Sequence, residues 1–280
     1  MMKKLIVVAG PTGVGKTDFS IQLAKKVNGE IINGDAYQVY KQLNIGSAKI
    51  SRDEMSGIEH HLFSFLDFNQ ELSVATYQKL ARDKIKEIND KGKVAILVGG
   101  SGYYLKTILY DYNFCEIEHK DFSNYSNEEL MEVLKGIDKE RAKNIHINNR
   151  IRLIRAIESG DKIKPIGDLL YDCDIYVLTM ERTFLYDRIN QRVDRMLEAG
   201  LLDEIRSLIN QGANFSMQSM KAIGYKEFEQ YLNGDIDLVE AVRLVKRNSR
   251  RYAKKQYTWF KNQMDARWID ILDYNGDKKG

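Results

Sequence analysis

Leu5-Ile6-Val7-Val8-Ala9-Gly10-Pro11-Thr12-Gly13-Val14-Gly15-Lys16-Thr17, close to the start of the chain, is the stretch that decides the fold. Its first five residues form an unbroken apolar run, the pattern of a strand buried on both faces of a parallel sheet. The last eight match G-x-x-x-x-G-K-[ST] in full. Phe19, Leu23 and Val27 follow at i, i+4 and i+8, which predicts a helix over 17–27. A glycine-rich turn between strand and helix lets backbone N–H groups and the positive end of the helix converge on phosphate oxygens. Lys16 adds a full charge, and Thr17 offers a hydroxyl to a magnesium ion. Gly10, Pro11, Thr12, Gly13, Val14, Gly15, Lys16 and Thr17 are therefore read as a seat for a pyrophosphate or triphosphate, of the kind that makes proteins ATP-binding or otherwise nucleotide-binding.

Outward from this loop the pattern repeats. Glu30 to Asn33 is a second short strand ending at Gly34-Asp35. Val74, Tyr77, Ala81, Ile85 and Ile88 recur at spacings of three and four, so 73–89 reads as a helix, closed by Gly92. Val94 to Val98 is a third strand, followed by Gly99-Gly100-Ser101-Gly102 and a short helix from Tyr103. Strand, helix and strand in alternation predict an α/β fold, a P-loop NTPase-like parallel sheet flanked by helices. From 111 to 165 the chain is polar and helical without a clear strand, a small helical insertion. Ile175 to Leu178 returns as a strand, and a helical C-terminal region runs from Thr183 to Lys261 with turn signals at Gly200, Gly212, Gly224 and Asn233-Gly234-Asp235. The expected organisation is a catalytic core made of 1–110 and 166–280, interrupted by the insertion 111–165.

Composition narrows the class. The 280 residues are 43% hydrophobic and 30% charged, which fits a soluble globular chain. A net charge of only +3 means that any contact with nucleic acid must come from local clustering of charge. Cys115 and Cys173 are too few for a disulfide framework or a cysteine-rich metal site, and are expected as free thiols in a reducing cytoplasm. No apolar run reaches the ~20 residues of a membrane span. The opening Lys3-Lys4 and apolar run lead directly into the phosphate loop, so they are read as a strand and not as a signal peptide.

The loop names a ligand class, not a reaction. A kinase places an Asp at the end of a central strand to organise magnesium. Here Val94–Val98 ends in Gly-Gly-Ser, and Asp35 is the nearest candidate carboxylate, as metal ligand or as general base. From Ala241 to Met264 there is no acidic residue, yet Arg243, Lys246, Arg247, Arg250, Arg251, Lys254, Lys255 and Lys261 are basic. Solvated helix faces mix signs and this one does not, which points to nucleic-acid phosphates. Arg150, Arg152 and Arg155 make a smaller cluster of the same kind. His60 and His61 have no ligand partners at metal spacing and are expected to be structural, and Tyr252, Tyr257, Trp259 and Phe260 are expected to pack.

Several blocks occur in a fixed order: Gly-Pro-Thr-x-x-Gly-Lys-Thr at 10–17, Asp-x-x-Gln-Val-Tyr at 35–40, Ile-Gly-Ser-Ala-Lys at 45–49, and His60-His61-Leu62. They continue with Val98-Gly99-Gly100-Ser101-Gly102-Tyr103, Arg152-Leu153-Ile154-Arg155-Ala156-Ile157-Glu158, and the run from Leu185 to Asp194. Ala222-Ile223-Gly224-Tyr225-Lys226 and Lys255-Gln256-Tyr257-Thr258-Trp259-Phe260 close the series. In this order they resemble the bacterial tRNA dimethylallyltransferases, also called isopentenyl-tRNA transferases, from residue 5 to about 268.

The resemblance implies an enzyme that moves a dimethylallyl group from dimethylallyl pyrophosphate to N6 of adenosine 37, just 3′ of the tRNA anticodon, with Mg2+ as helper. It implies that Lys16, Thr17, Ser101 and Arg182 hold the pyrophosphate, with Thr17 toward the metal, and that Asp35 is the general base. It further implies tRNA contact by Asp35, Ala36, Tyr37 and Gln38, by Ile151, Arg152, Leu153, Ile154 and Arg155, by Lys221, Ala222, Ile223, Gly224, Tyr225 and Lys226, and by Arg247 and Arg250. The segment 111–140 is shorter than the family norm, and Lys139 stands where Pro usually follows Asp138. A soluble, cytoplasmic monomer is expected, with a P-loop kinase, an adenylate isopentenyltransferase or a non-catalytic RNA-binding protein as the competing readings.

Overall fold

The computed structural model describes residues 4–112, 114, 120–160 and 167–276. Cys115 and the 165–166 boundary lie outside the described residues. By their internal packing the residues form two compact units, 1–109 with 170–280 and 110–169.

The first unit is built on a six-stranded sheet in the order β3-β2-β4-β1-β5-β6, parallel throughout. The strands are β1 (Lys4–Ala9), β2 (Gly29–Asn33), β3 (His60–His61), β4 (Val94–Gly99), β5 (Asp172–Thr179) and β6 (Arg267–Asp270). β1 is central, and Leu5 to Ala9 are buried, as a strand covered on both faces demands. The crossovers and flanking helices are α1 (Lys16–Val27), α2 (Val74–Asp90) and α3 (Gly102–Leu109), then, beyond the second unit, α7 (Arg182–Glu198) and α8 (Leu201–Asn210). Helix α9 (Glu229–Leu232), the 26-residue helix α10 (Leu238–Gln263) and α11 (Ile271–Gly276) complete it. The Ser73 side chain caps α2 by accepting the Thr76 N–H, and Tyr77, Ala81, Ile85 and Ile88 form its buried face. A core containing Ile6, Val8, Phe19, Ile31, Ile96, Leu178 and Ile189 fills the space between one helical layer and the sheet.

Two strands escape the periodicity. β3 has two residues, too few to alternate, and is held beside β2 by the buried Glu30, whose carboxylate meets His61 Nε2 and Lys93 Nζ, both at 2.7 Å. β6, Arg-Trp-Ile-Asp, is a short edge strand whose polar ends give no apolar run. The described cysteine, Cys173, is a free, half-buried thiol on β5.

The second unit is helical: α4 (Asn127–Ile137), α5 (Lys139–Lys143) and α6 (Arg150–Ser159). Ser126 and Glu129 form a reciprocal capping box at the start of α4. Phe122, Leu130, Leu134, Ala142, Leu153 and Ala156 make its small core.

Candidate active site

In a parallel sheet the C-terminal ends of the strands share one edge, and ligands bind there. β1 delivers the phosphate loop to this edge, β2 delivers Gly34-Asp35, β4 delivers Gly100-Ser101, and β5 leads into α7. The loop closes tightly over the sheet. Gly10 has φ 146°, and a Cβ there would lie 2.7 Å from the Leu178 carbonyl oxygen, so only glycine fits. Lys16 opens α1 and folds back under the loop, its ammonium donating to Gly10 O at 3.0 Å and Pro11 O at 2.9 Å. That position removes it from water. Burial pulls its pKa down to about 8, Arg192 pushes it in the same direction, and Asp35 opposes them.

The same three groups reappear from the arginine's side. Burial lowers the Arg192 pKa, Asp35 holds it up, and Arg195 pushes it down. Two cations and one carboxylate therefore share the edge. Arg192 is a residue that the sequence reading did not single out, although it stands in the 185–194 block. Arg182 is placed differently. It is exposed at the start of α7, donates from Nε to Tyr186 Oη at 3.0 Å, and lies 5.1 Å from that ring's centroid. Of the four α7 arginines, Arg182, Arg188, Arg192 and Arg195, it is Arg192 whose charge acts on Lys16. A helix with arginines on several faces gives no clue in sequence as to which one turns inward.

Asp35 is fixed by its own backbone. Asn33, buried at the end of β2, accepts the Asp35 N–H at 2.9 Å and donates to Asp35 O and Leu62 O. Asp35 Oδ1 in turn accepts the Tyr37 N–H at 2.8 Å. One carboxylate oxygen is used to shape the turn, and no described group donates a hydrogen bond to the other. Phenols surround this acid. Burial, then Asp35, then Tyr104 and Glu227 push the Tyr37 phenol up to about 12. Burial and Asp35 likewise raise Tyr104, and burial, Asp35 and Tyr104 raise Tyr77, whose buried hydroxyl has no hydrogen-bond partner among the described residues. Tyr252 reaches the edge from α10, its phenol raised by burial and Asp35 while Ser101 and Gln256 oppose them. All of these hydroxyls stay protonated at neutral pH. Tyr252 was expected only to pack; the structure sets it at the site.

Gln256, one turn further along α10, ties the edge together. Its Oε1 accepts the Thr12 N–H and its Nε2 donates to Gly100 O, both at 2.9 Å. It thereby joins the phosphate loop to the turn after β4. A buried glutamine in a basic helix is a signal that charge counting passes over.

The Thr17 hydroxyl, in the first turn of α1, is an oxygen that could hold a metal ion together with a substrate's phosphate oxygens. Among the described residues no three His, Cys, Asp or Glu side chains converge.

The residues read as RNA contacts divide by exposure. Ala36, Tyr37 and Gln38 follow Asp35 at the site and are half-buried. Lys221 and Lys226 are exposed and Ile223 half-buried, but Ala222, Gly224 and Tyr225 are buried. Ala222 and Tyr225 are enclosed by the chain itself. In the second unit Ile151, Arg152 and Arg155 are exposed and Ile154 half-buried. Leu153 belongs to that unit's core. Arg150 is spent internally, on Phe122 O, Tyr125 O and Asn127. On α10 Arg243 is paired with Glu240, Lys246 with Asp194, and Arg250 with Asn190, while Arg247 Nε meets Asn248. Arg251, Lys254, Lys255 and Lys261 are exposed, and no described group takes a side-chain bond from them.

Fold and site together define a phosphate-loop α/β protein with an acid and two half-buried cations at one sheet edge. Residues 38–263 match the sequence model of the IPP transferase family, and the chain belongs to that family. A tRNA dimethylallyltransferase of Anoxybacillus flavithermus is 47% identical over 287 residues, covering 98% of this chain and 92% of that one. The solved full-length tRNA isopentenylpyrophosphate transferase of Bacillus halodurans superposes with a TM-score of 0.77 at 44% identity, over 96% of this chain and 90% of that one. A eukaryotic dimethylallyltransferase, described as acting on tRNA, superposes with a TM-score of 0.84 at 30% identity, over 96% of this chain and 74% of its own.

Proposed function

We propose that this chain transfers the dimethylallyl group of dimethylallyl pyrophosphate to N6 of adenosine 37, 3′ of the anticodon in tRNA, releasing pyrophosphate. The observation that carries the reading is the meeting of Lys16, Arg192 and Asp35 at a sheet edge where β4 ends in Gly-Gly-Ser and not in an acid. Such an edge grips a pyrophosphate and offers a base, and it lacks the strand-end carboxylate that phosphoryl transfer uses. The names of the relatives point to the same chemistry.

In this reading the bond between the allylic carbon and the pyrophosphate oxygen breaks as the adenine amine attacks that carbon. The loop N–H groups, Lys16 and Arg192 stabilise the charge that gathers on the leaving pyrophosphate. Asp35 takes the proton that the amine loses. Magnesium, held by Thr17 and the substrate's oxygens, supplies further neutralisation of the pyrophosphate when bound. The adenine must leave the anticodon stack to reach Asp35. Exposed Arg251, Lys254, Lys255 and Lys261 on α10 supply phosphate contacts to the anticodon stem-loop. The enzyme acts in the cytoplasm as a monomer, a state that light scattering measures directly.

The test is incubation with dimethylallyl pyrophosphate and unmodified tRNA in the presence of AMP and ATP, followed by mass analysis of nucleosides and nucleotides. Prenylated adenosine in tRNA is the expected product. Prenylated AMP with unmodified tRNA, or phosphoryl transfer from ATP, overturns the reading.

A further inference from the structure

Glu204, in the first turn of α8, takes no part in the chemistry described above, yet it joins three separate sequence blocks. Its Oε2 accepts the N–H groups of Asn44 and Ile45, both at 2.9 Å, and its Oε1 accepts that of Gly46 at 3.1 Å. Tyr225 Oη donates to Oε1 at 2.6 Å. Three successive amides aimed at one point make an anion seat of the type loops offer to phosphate. Here the chain's own carboxylate fills it. The fit is close: a Cβ on Gly46 would fall 2.4 Å from Tyr225 Cε2.

From this seat the bonds run on toward Asp35. Lys49 gathers the other side of the loop, donating to Tyr40 O, to Lys41 O at 3.3 Å and to Asn44 Oδ1 at 2.9 Å. The carbonyls of Ser47 and Ala48 accept from Gln38 Nε2 at 3.2 and 3.3 Å. Both amide hydrogens of Gln38 are thereby directed into the loop, and its Oε1, with no partner among the described residues, is held in one orientation. Gln38 stands three residues beyond Asp35, in the same turn that the Asp35 carboxylate shapes.

We propose that Glu204 is a positioning residue for the acceptor: it seats the 44–46 amides so that Gln38 and Asp35 meet the incoming purine in one arrangement. The proposal rests on the reading of the chain as a tRNA-adenosine prenyltransferase. It assigns Glu204 to the RNA side of the reaction alone, because the phosphate loop is organised by other contacts, those of Lys16 and Gln256. A carboxylate with a merely structural role would, when altered, degrade both substrates together.

The experiment compares Glu204→Gln, Tyr225→Phe and, as a control on the same helix, Asp203→Asn, whose carboxylate is exposed. For each, KM for unmodified tRNA, kcat, affinity for dimethylallyl pyrophosphate alone, and amide exchange at 44–46 are measured. Loss of a charge-assisted set of bonds predicts a rise in the tRNA KM of about ten- to a hundredfold for Glu204→Gln. Donor affinity should stay within about twofold and exchange at 44–46 should quicken, while Asp203→Asn behaves as wild type. Tyr225→Phe removes one of the four bonds and should shift the tRNA KM in the same direction by less, which decides the matter if Glu204→Gln does not fold. An unchanged tRNA KM in both variants, or an equal loss of donor affinity, overturns the proposal while wild-type protein still prenylates tRNA. Wild-type protein that leaves tRNA unmodified overturns the enzymatic reading itself.

Discussion

The buried ammonium of Lys16 makes donor binding depend on pH in a specific window. Its pKa lies near 8 and not at the usual 10.5, because burial and Arg192 outweigh Asp35. The protonated form is the one that attracts pyrophosphate, so affinity is complete below pH 8 and falls as pH rises through it. At pH 7 roughly nine in ten molecules carry the charge, and at pH 9.5 roughly one in thirty, so affinity should fall about thirtyfold, or about 2 kcal/mol. The donor's own titration interferes little, since a terminal phosphate whose second pKa lies near ~6 is already about nine-tenths ionised at pH 7. Bound pyrophosphate favours the charged lysine, so binding above pH 8 should take up close to one proton per donor. Calorimetry with dimethylallyl pyrophosphate alone, in two buffers of different ionisation heat between pH 7 and 9.5, measures both quantities. Lys16→Ala should bind weakly and lose this pH dependence, and its fold should persist because the ammonium bonds only carbonyls of its own loop. A wild-type affinity that is flat to pH 9.5, or that falls only around pH 10.5, would refute the argument that Lys16 is desolvated before the donor arrives.

The remaining expectations can be checked with single variants. Asp35→Asn keeps the oxygen that accepts the Tyr37 N–H but cannot take a proton, so turnover should drop by ~10²–10⁴. Donor affinity at fixed magnesium should hold, and its collapse would instead make Asp35 a metal ligand. Gln256→Leu leaves the Thr12 N–H and the Gly100 carbonyl unpaired at about 1–3 kcal/mol each, so thermal stability and donor affinity should fall together; a variant that binds donor normally argues against a role for Gln256 in shaping the loop. For tRNA binding, removal of Arg251 and Lys255 should flatten the log–log salt slope by about 0.7–0.9 per charge. Removal of Arg243 and Lys246, which are already paired with Glu240 and Asp194, should change it less; equal slopes in both pairs would show that exposure on α10 does not select the RNA contacts.

The fold was legible wherever burial writes a pattern into the sequence. β1 and β4 are apolar runs between turn signals, β2 centres on Ile31-Ile32 ahead of Gly34-Asp35, and α1 and α2 carry apolar residues at helical spacing, so each was found within a residue or two of its ends. β5 was found in its centre only. Its first residues, Asp172, Cys173 and Asp174, pair with Lys4, Leu5 and Ile6, and their polarity hides the strand from an apolar search. β3 and β6 lie at the sheet's two edges, where one side of a strand is unpaired and short polar segments suffice. Edge strands are specified by their neighbours, and no local pattern announces them.

The site was legible to the extent that backbone builds it. The phosphate loop and the turn at Asp35 are local: a few successive residues set their own geometry through glycine conformations and the Asn33 to Tyr37 bonds. Arg192, Tyr252 and Gln256 depend instead on which face of a long helix meets the sheet edge, and Glu204 on which face of α8 meets the 44–46 loop. On α10 a count of charges gives every cation equal weight, and packing then divides them, Arg243, Lys246 and Arg250 into internal pairs and Arg251, Lys254, Lys255 and Lys261 to solvent. The buried stripe of that helix, Ala241, Val245, Ala253, Gln256 and Phe260, contains one polar residue among apolar ones. A buried amide without an apolar reason to be there must be satisfied by hydrogen bonds, and it finds them on the phosphate loop and the β4 turn. A polar residue inside an apolar stripe, and not the charge run beside it, is thus the feature of α10 that points into the reaction site.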